Sequence, residues 1–365
     1  MFGSVVLFLL GALSLLLTVY MWVGDWPSET REIVDHYRSV AEYEEFSGPP
    51  AIANIYARDI VDLKGDWEAV IDPYGAGDIG GIAARAMTRA TPSDLSEFSY
   101  RNGLVLKVPG DWNTQDPRLH FYRGVVWYKR EFEHRPEDDK RTFIWLGAAN
   151  YRASVYLNGR LLGQHEGGFT PFNFEMTGSL NPGKNLLVVR VDNAKSDEDV
   201  PTTRTDWHNY GGLTRDVLVV DVPQTYIENY SLEWVGREGG GIKGFVHLAG
   251  DGANQAVEVS VPELATTIEV QTGPDGRAEF VLEASPELWS PDNPKLYTVK
   301  ISSSQDLVSD EIGFRTVSVE GNQILLNGSP IFLKGISLHE EAGQGRGRAH
   351  DRADAERLLG WAESL

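Results

Sequence analysis

The chain contains no cysteine, so neither a disulfide framework nor thiolate chemistry is open to it. That absence fits the cytosol and the periplasm equally and leaves the compartment open. Positive charge is scarce: 33 Lys and Arg stand against 53 Asp and Glu, a net charge of −20. Phosphate binding needs a basic face, which excludes nucleic acid as a general partner. Adhesion to anionic lipid is disfavoured outside a local basic patch. Several catalytic signatures are missing too. There is no Gly-x-Ser-x-Gly elbow for Ser/His/Asp hydrolysis. His339 is followed by Glu340 and Glu341, but the second His of a zinc helix does not stand four residues on. The Gly343, Gly345, Gly347 series lacks the Lys-Ser/Thr ending of a phosphate loop and reads as a mobile loop over a pocket mouth. No cofactor and no metal are expected. No internal repeat of 20–50 residues is visible.

What is present describes a globular chain, 41% hydrophobic and 24% charged over 365 residues, long enough for two or three domains. Residues 1–24 carry no charged side chain, and Val5 to Val23 is almost continuously apolar, close to the roughly 20 residues that cross a bilayer. No basic residue precedes the run and no good cleavage site follows it, so an uncleaved anchor is expected over a cleaved signal peptide. Export and contact of this segment with a membrane follow. Residues 25–55 form an acidic linker closed by Gly48-Pro49-Pro50. From Tyr56 onward, short strands of even spacing, broken by Gly, Pro and an Asn158-Gly159 hairpin turn, predict a jelly-roll β-sandwich over 56–223. Gly75 to Pro92 reads as a loop insertion. Val155 and Leu157, and likewise Leu187, Val189 and Val191, share strand faces and are expected in the core. The strand spacing of 224–317 suits a second, immunoglobulin-like sandwich. A second Asn-Gly hairpin follows at Asn327-Gly328.

The densest concentration of polar and aromatic residues lies in DWHNYGGLTRDV: Asp206, Trp207, His208, Asn209, Tyr210 and Arg215 around Gly211-Gly212. Hydroxyls call for bidentate acceptors and sugar CH faces for rings, so such a loop suits carbohydrate. With the Asn158-Gly159 hairpin and the strand NLLVVRVDN, it resembles the N-terminal sugar-binding domain of family 2 glycoside hydrolases, which include β-galactosidases, β-glucuronidases and β-mannosidases. The Pro109-Gly110-x-Trp112-Asn113 loop, Tyr128-Lys129-Arg130, Trp289-Ser290-Pro291 and Pro294-x-Leu296-Tyr297 resemble the family as well.

Residues 318–365 are expected to open a (β/α)₈ barrel. The apolar run Ile331 to His339 is of the kind a buried parallel strand needs. Asp351 can cap a helix whose Leu358, Leu359, Ala362 and Leu365 share a face. A full barrel takes on the order of 250 residues, so the chain reads as truncated. The fold expected is thus mainly β, a jelly roll and an immunoglobulin-like sandwich followed by the first βα unit of an incomplete barrel.

The resemblance implies two substrate-binding residues. Asp206 matches an acidic residue that reaches from the jelly roll to a sugar hydroxyl. His339, in GISLHE, matches the family's Gly-x-Asn-x-His-Glu segment, although Ser337 stands where the family commonly has Asn. Asn209, Tyr210 and Arg215 are expected as scaffold, with Arg215 bridging carboxylates. The family's acid/base and nucleophile are Glu residues on later barrel strands, the acid/base following an Asn. No Asn-Glu pair occurs in residues 331–365, so no catalytic residue is assigned and Glu340 and Glu341 are given neither role. The function implied is a retaining exo-β-glycosidase of the β-galactosidase/β-glucuronidase type acting on a β-glycoside, here without its catalytic pair and therefore inactive alone. The alternative is a membrane-tethered, non-catalytic carbohydrate-binding protein.

Overall fold

A computed structural model describes residues 50–86, 99–100, 103–236, 241–343 and 345–364. The apolar run 5–23 and the linker through residue 49 lie outside the described residues. Among the described residues no helix is long and apolar enough to cross a membrane.

The architecture is mainly β. In chain order the first strands are β1 (Asp59–Asp62), β2 (Gly65–Asp72), β3 (Leu104–Val108), β4 (Val125–His134), β5 (Lys140–Leu146) and β6 (Ala149–Asn150). They are followed by β7 (Arg152–Leu157), β8 (Arg160–Glu166), β9 (Phe172–Glu175), β10 (Gly183–Asp192), β11 (Gly212–Leu213) and β12 (Val217–Pro223). They build a six-stranded sheet in the order β3-β2-β4-β10-β7-β8 and a four-stranded sheet in the order β1-β12-β5-β9. The inner faces share one core: Trp67, Tyr128, Val155, Leu157, Leu187, Val189 and Val191 from the first meet Ile144, Leu146, Phe172, Val217 and Val219 from the second. Each such side chain, fully buried, contributes roughly 1.5–3 kcal/mol.

The nearly unbroken apolar runs of β10 and β12 have a separate cause: their outer faces are covered too. Leu186 and Val188 of β10 pack with Trp127, Ile82 and Ala83. Leu218, Val220 and Val222 of β12 pack with Phe143, Trp145, Ile52 and Ile55. Two expectations change here. The last residues of the acidic linker are packed, and the Ile52 amide donates to Asn173 Oδ1 at 2.8 Å. The Gly75 insertion is not loop throughout, since Gly77–Gly80 (α1) and Ile82–Arg85 (α2) are helical turns. Buried Asp72 organises them, accepting from the Ala76 and Gly77 amides and from Trp127 Nε1 at 2.8–3.0 Å.

Beyond Pro223 come β13 (Tyr226–Trp234), β14 (Ile242–Ala249), β15 (Ala256–Val261), β16 (Thr266–Gln271), β17 (Arg277–Leu282), β18 (Tyr297–Ser302) and β19 (Leu307–Ile312). They form sheets β13-β14-β17 and β16-β15-β18-β19. Alternation is clean here: Val257, Val259 and Val261 share a single core with Phe280 and Leu282, and the residues between them are more exposed. Arg58 ties the two strand sets together, pairing with Asp306 at 3.0 Å and donating to the Ile227 carbonyl at 2.7 Å.

A small sheet of β20 (Val317–Glu320), β21 (Gln323–Leu326) and β22 (Ser329–Pro330) follows. Both Asn-Gly turns form as expected: Asn158 and Gly159 have φ 51° and 80°, Asn327 and Gly328 φ 53° and 79°. Residues 331–339 do not form the expected strand; they are irregular, and Phe332, Leu333, Ile336 and Leu338 are exposed. A parallel strand exists only by pairing with neighbours, and no strand of the described residues pairs with this one. The helix Arg352–Glu363 (α3) is present, and Asp351 caps it as expected by accepting from the Asp354 amide at 2.8 Å. Leu358 and Ala362 are half-buried while Leu359 is exposed, so the expected apolar face is only partly covered; Leu365 lies outside the described residues.

Candidate functional site

The loop that leads from β10 into β11 is held from beneath by side-chain amides, each of which both donates and accepts. Buried Asn193 accepts from the Gly124 amide at 2.9 Å and donates to the Asn209 carbonyl at 3.1 Å. Asn209 returns a bond to the Asn193 carbonyl at 2.6 Å. Asn150 donates to Asn209 Oδ1 at 3.2 Å and to the Tyr210 carbonyl. Asn113 accepts from the Gly211 amide at 2.9 Å, while β6 and β11 pair Asn150 with Gly212. Only glycine fits at 211, where a Cβ would sit 2.1 Å from the Trp112 ring. The scaffold expectation for Asn209 and Tyr210 therefore matches the geometry.

On this base the loop displays its outward groups. Asp206 is exposed, and among the described residues its carboxylate has no hydrogen bond or ion pair. The adjacent Trp207 ring meets the His339 ring edge-on, centroids 5.3 Å apart. Trp207, the chain neighbour of Asp206, thus meets His339, the second residue expected from the resemblance. His208 leans on Tyr210 at 4.6 Å and on His120 at 6.0 Å, and His120 meets exposed Phe121 at 4.4 Å. Burial holds the His208 imidazole below its ordinary range, and neighbouring His120 and Arg123 push the same way. Burial also raises the Tyr210 phenol, with Glu341 and Asp111 adding to the effect. The rim offers the exposed Asp206 side chain, the His208 and Tyr210 rings and an indole face.

Behind the rim, residues 340–343 and 345–349 pair with one another: the Ala342 amide donates to the Gly347 carbonyl at 2.7 Å and the Ala349 amide to the Glu340 carbonyl at 2.9 Å. This segment is fastened down, unlike the mobile loop the glycine series predicts. The Arg348 amide donates to Asp111 Oδ2 at 3.1 Å, its guanidinium donates to the Gly168 carbonyl at 3.1 Å, and the same group lies 4.3 Å from the Phe169 ring centre. Burial brings the Arg348 guanidinium down to about 10, with Asp111 opposing. Glu340 receives Arg348 Nε at 2.6 Å on one oxygen and Arg215 on the other. Arg215 does not bridge carboxylates as expected: it meets the single carboxylate of Glu340, and Glu340, occupied on both oxygens, joins the two arginines. A cleft of about 780 Å³ is lined by Tyr56, Lys107, Arg215, Glu340 and Arg352, among others, and does not include Asp206, Trp207 or His339. Among the described residues no group of three or more His, Asp or Glu side chains is placed to hold a metal ion.

Two family models match consecutive stretches of the chain. The model described as "Glycosyl hydrolases family 2, sugar binding domain" covers residues 63–223, and "Glycosyl hydrolases family 2" covers 246–315. The chain belongs to glycosyl hydrolase family 2. Within this family it is similar to a protein named beta-glucuronidase from Paenibacillus borealis, 27% identical over 333 residues that span 81% of this chain and 52% of that protein. Among solved structures it is similar to a beta-glucuronidase of an uncultured Clostridium sp., with TM-score 0.69, 26% identity and coverage of 86% of this chain and 54% of that one. It is also similar to Bifidobacterium dentium beta-glucuronidase complexed with coumarin-3-O-glucuronide, with TM-score 0.69, 25% identity and coverage of 86% and 57%. The chain spans about half the length of the family 2 relatives it matches.

Asp206 lies inside the sugar-binding match and His339 beyond both matched stretches. Sequence reasoning missed Arg348, Asp111 and Asn113 as parts of the site. Arg348 and Asp111 carry no local signal, because they meet only through folding. Asn113 did carry one, standing in the Pro-Gly-x-Trp-Asn motif that braces the loop.

Proposed function

We propose that this chain serves a retaining exo-β-glycosidase of the β-glucuronidase type and supplies the face that grips the terminal sugar. In this reading Asp206 accepts from two sugar hydroxyls, Trp207 covers a CH face, and His339 completes the rim. A single observation carries it: a chain segment that begins after the second strand set brings His339 to Trp207, beside a carboxylate with no protein partner among the described residues. The relatives are glycosidases by name, which favours an enzyme over a tethered binding protein. The architecture fits a jelly roll over 56–223, an immunoglobulin-like sandwich over 224–317 and the opening of a (β/α)₈ barrel over 318–365. The exposed apolar run 331–338 agrees with a strand made to be paired on both sides. Retention needs two carboxyl groups roughly 5–5.5 Å apart. Glu340 is held by two arginines and no Asn-Glu pair occurs in residues 331–365, so the 365 residues alone are not hydrolytic.

The test is a titration of the chain with D-glucuronate and, separately, D-galactose, followed by ligand-observed NMR. Asp206→Asn removes a charge-assisted bond worth about 1.5–3 kcal/mol and should weaken glucuronate roughly 10- to 100-fold. Equal binding by the wild type and this variant would sink the assignment. The uncharged stretch 1–24 supports export. A reporter active only in the cytoplasm, fused to residues 1–50, should lose its signal, and full activity there would refute it.

A further inference from the structure

We propose that Glu340 is a positioning residue whose carboxylate, shared between Arg215 and Arg348, holds His339 against Trp207. The functional meaning of that placement rests on the sugar-binding reading above; the placement itself does not. Residues 331–339 make no strand ladder among the described residues, so regular backbone pairing does not aim the His339 ring. The first firmly fixed residue after it is Glu340. One of its oxygens takes Arg348 Nε at 2.6 Å and the other takes Arg215.

Each arginine is anchored independently. Arg215 stands just beyond the loop that carries Asp206 and Trp207, and donates to the Thr214 carbonyl at 3.0 Å and the Ala349 carbonyl at 2.8 Å. Arg348, with its side chain 4% exposed, donates to the Gly168 carbonyl and lies over Phe169. One carboxylate therefore joins the end of the Trp207 loop, the 168–169 turn and the residue next to His339. The Ala349 amide also holds the Glu340 carbonyl at 2.9 Å, and the carboxylate adds the charge that keeps the two arginines together. Burial already works against the positive charge on both arginines, and the charge of Arg348 opposes that of Arg215 further. Without the carboxylate the two guanidinium groups lose the anion they share, and their repulsion favours separation. Their separation releases the link that sets His339 relative to Trp207.

The Trp207 indole shifts the ring protons of His339 by its ring current, and this is the readout. It is measured on the full chain with ¹³C-labelled histidine, the His339 signal being assigned by its loss in His339→Asn. Its undisplaced position is taken from Trp207→Leu. Glu340→Gln should move the His339 signal to that undisplaced position, while those of His134 in β4 and His247 in β14 stay in place. Arg348→Lys, which keeps the charge but loses the fork, should move it part of the way. A His339 signal unchanged in both variants, with His134 and His247 intact, overturns the proposal. If Glu340→Gln fails to fold, Glu340→Asp and Arg215→Lys decide by the same criterion. D-glucuronate titration separates the two claims. Collapse of the ring-current shift with unaltered binding in both Glu340→Gln and His339→Asn refutes the sugar role of His339 and upholds the positioning.

Discussion

At the scale of single residues, two glycines in the last segment should respond to alanine in opposite ways. Gly347 has φ +78°, and a Cβ there would lie 2.1 Å from Asp111 Oδ2. Left-handed backbone costs a side chain roughly 1–2 kcal/mol, and the clash falls on the carboxylate that holds the Arg348 amide. Gly347→Ala should lower the urea midpoint by at least that equivalent. Gly360 lies inside α3 with open space where a Cβ would go, so Gly360→Ala should protect the helix by roughly 0.5–1 kcal/mol. Hydrogen exchange of the α3 amides reads that gain. A pH effect resides in His165, whose ring stacks on Phe172 at 4.1 Å. Burial holds it below the ordinary imidazole range, opposed by a hydrogen bond that the ring donates to the Gly167 backbone. The unfolded imidazole therefore takes a proton more readily than the folded one. The stability this group contributes is whole above about pH 6.5 and is lost as pH falls through that value toward the folded pKa. His208 acts with the same sign. Urea midpoints at pH 7.5 and 5.5 should differ less in His165→Phe than in the wild type; an equal difference would assign the effect elsewhere.

At the scale of elements, the same substitution should have unequal consequences depending on which face of a strand it strikes. Leu187 of β10 is fully buried between the first two sheets, so Leu187→Ala should cost about 2–5 kcal/mol. Val319 of β20 is exposed, and Val319→Ala should stay within about 0.5 kcal/mol. Chemical denaturation of the two variants side by side tests the contrast. This contrast also explains what the sequence could reveal. Alternation in β15, β17 and β18 is legible because one face meets a core and the other water. The Asn-Gly turns are legible because few residue pairs accept two positive φ values in succession. The α3 cap at Asp351 is legible because its chemistry is local; Asp351→Ala should cost about 0.5–2 kcal/mol. The run 331–339 misleads because an apolar segment states a need for partners without supplying them. The α1–α2 turns were missed because Asp72, which organises them, lies on the preceding strand. For the rim the division is similar: Asp206 and His339 stand in recognisable segments, whereas the Arg215–Glu340–Arg348 link joins residues far apart in the chain.

At the scale of the molecule, coupling and cover are both at issue. Arg58 and Asp306 form an ion pair whose side chains are 5% and 8% exposed, and removing one partner of such a pair costs about 3–5 kcal/mol because the other stays buried and charged. Arg58→Met should therefore split a single calorimetric transition into two, one for each strand set. The apolar surface near the C-terminal segment makes a stronger demand. Phe332 is 85% exposed and Leu333 65%, with Ile336 and Leu338 close behind them and Leu359 and Trp361 exposed on α3. Exposed apolar side chains in this number lead to association unless something covers them. The net charge of −20 resists contact between copies at low salt, and screening removes that resistance because the Debye length falls to about 3 Å at 1 M. Sedimentation velocity should therefore show the 365-residue chain associating as salt is raised, and Phe332→Lys with Leu333→Lys should keep it monomeric at the same ionic strength. If the double variant associates as the wild type does, the adhesive surface lies elsewhere and residues 331–338 need no cover.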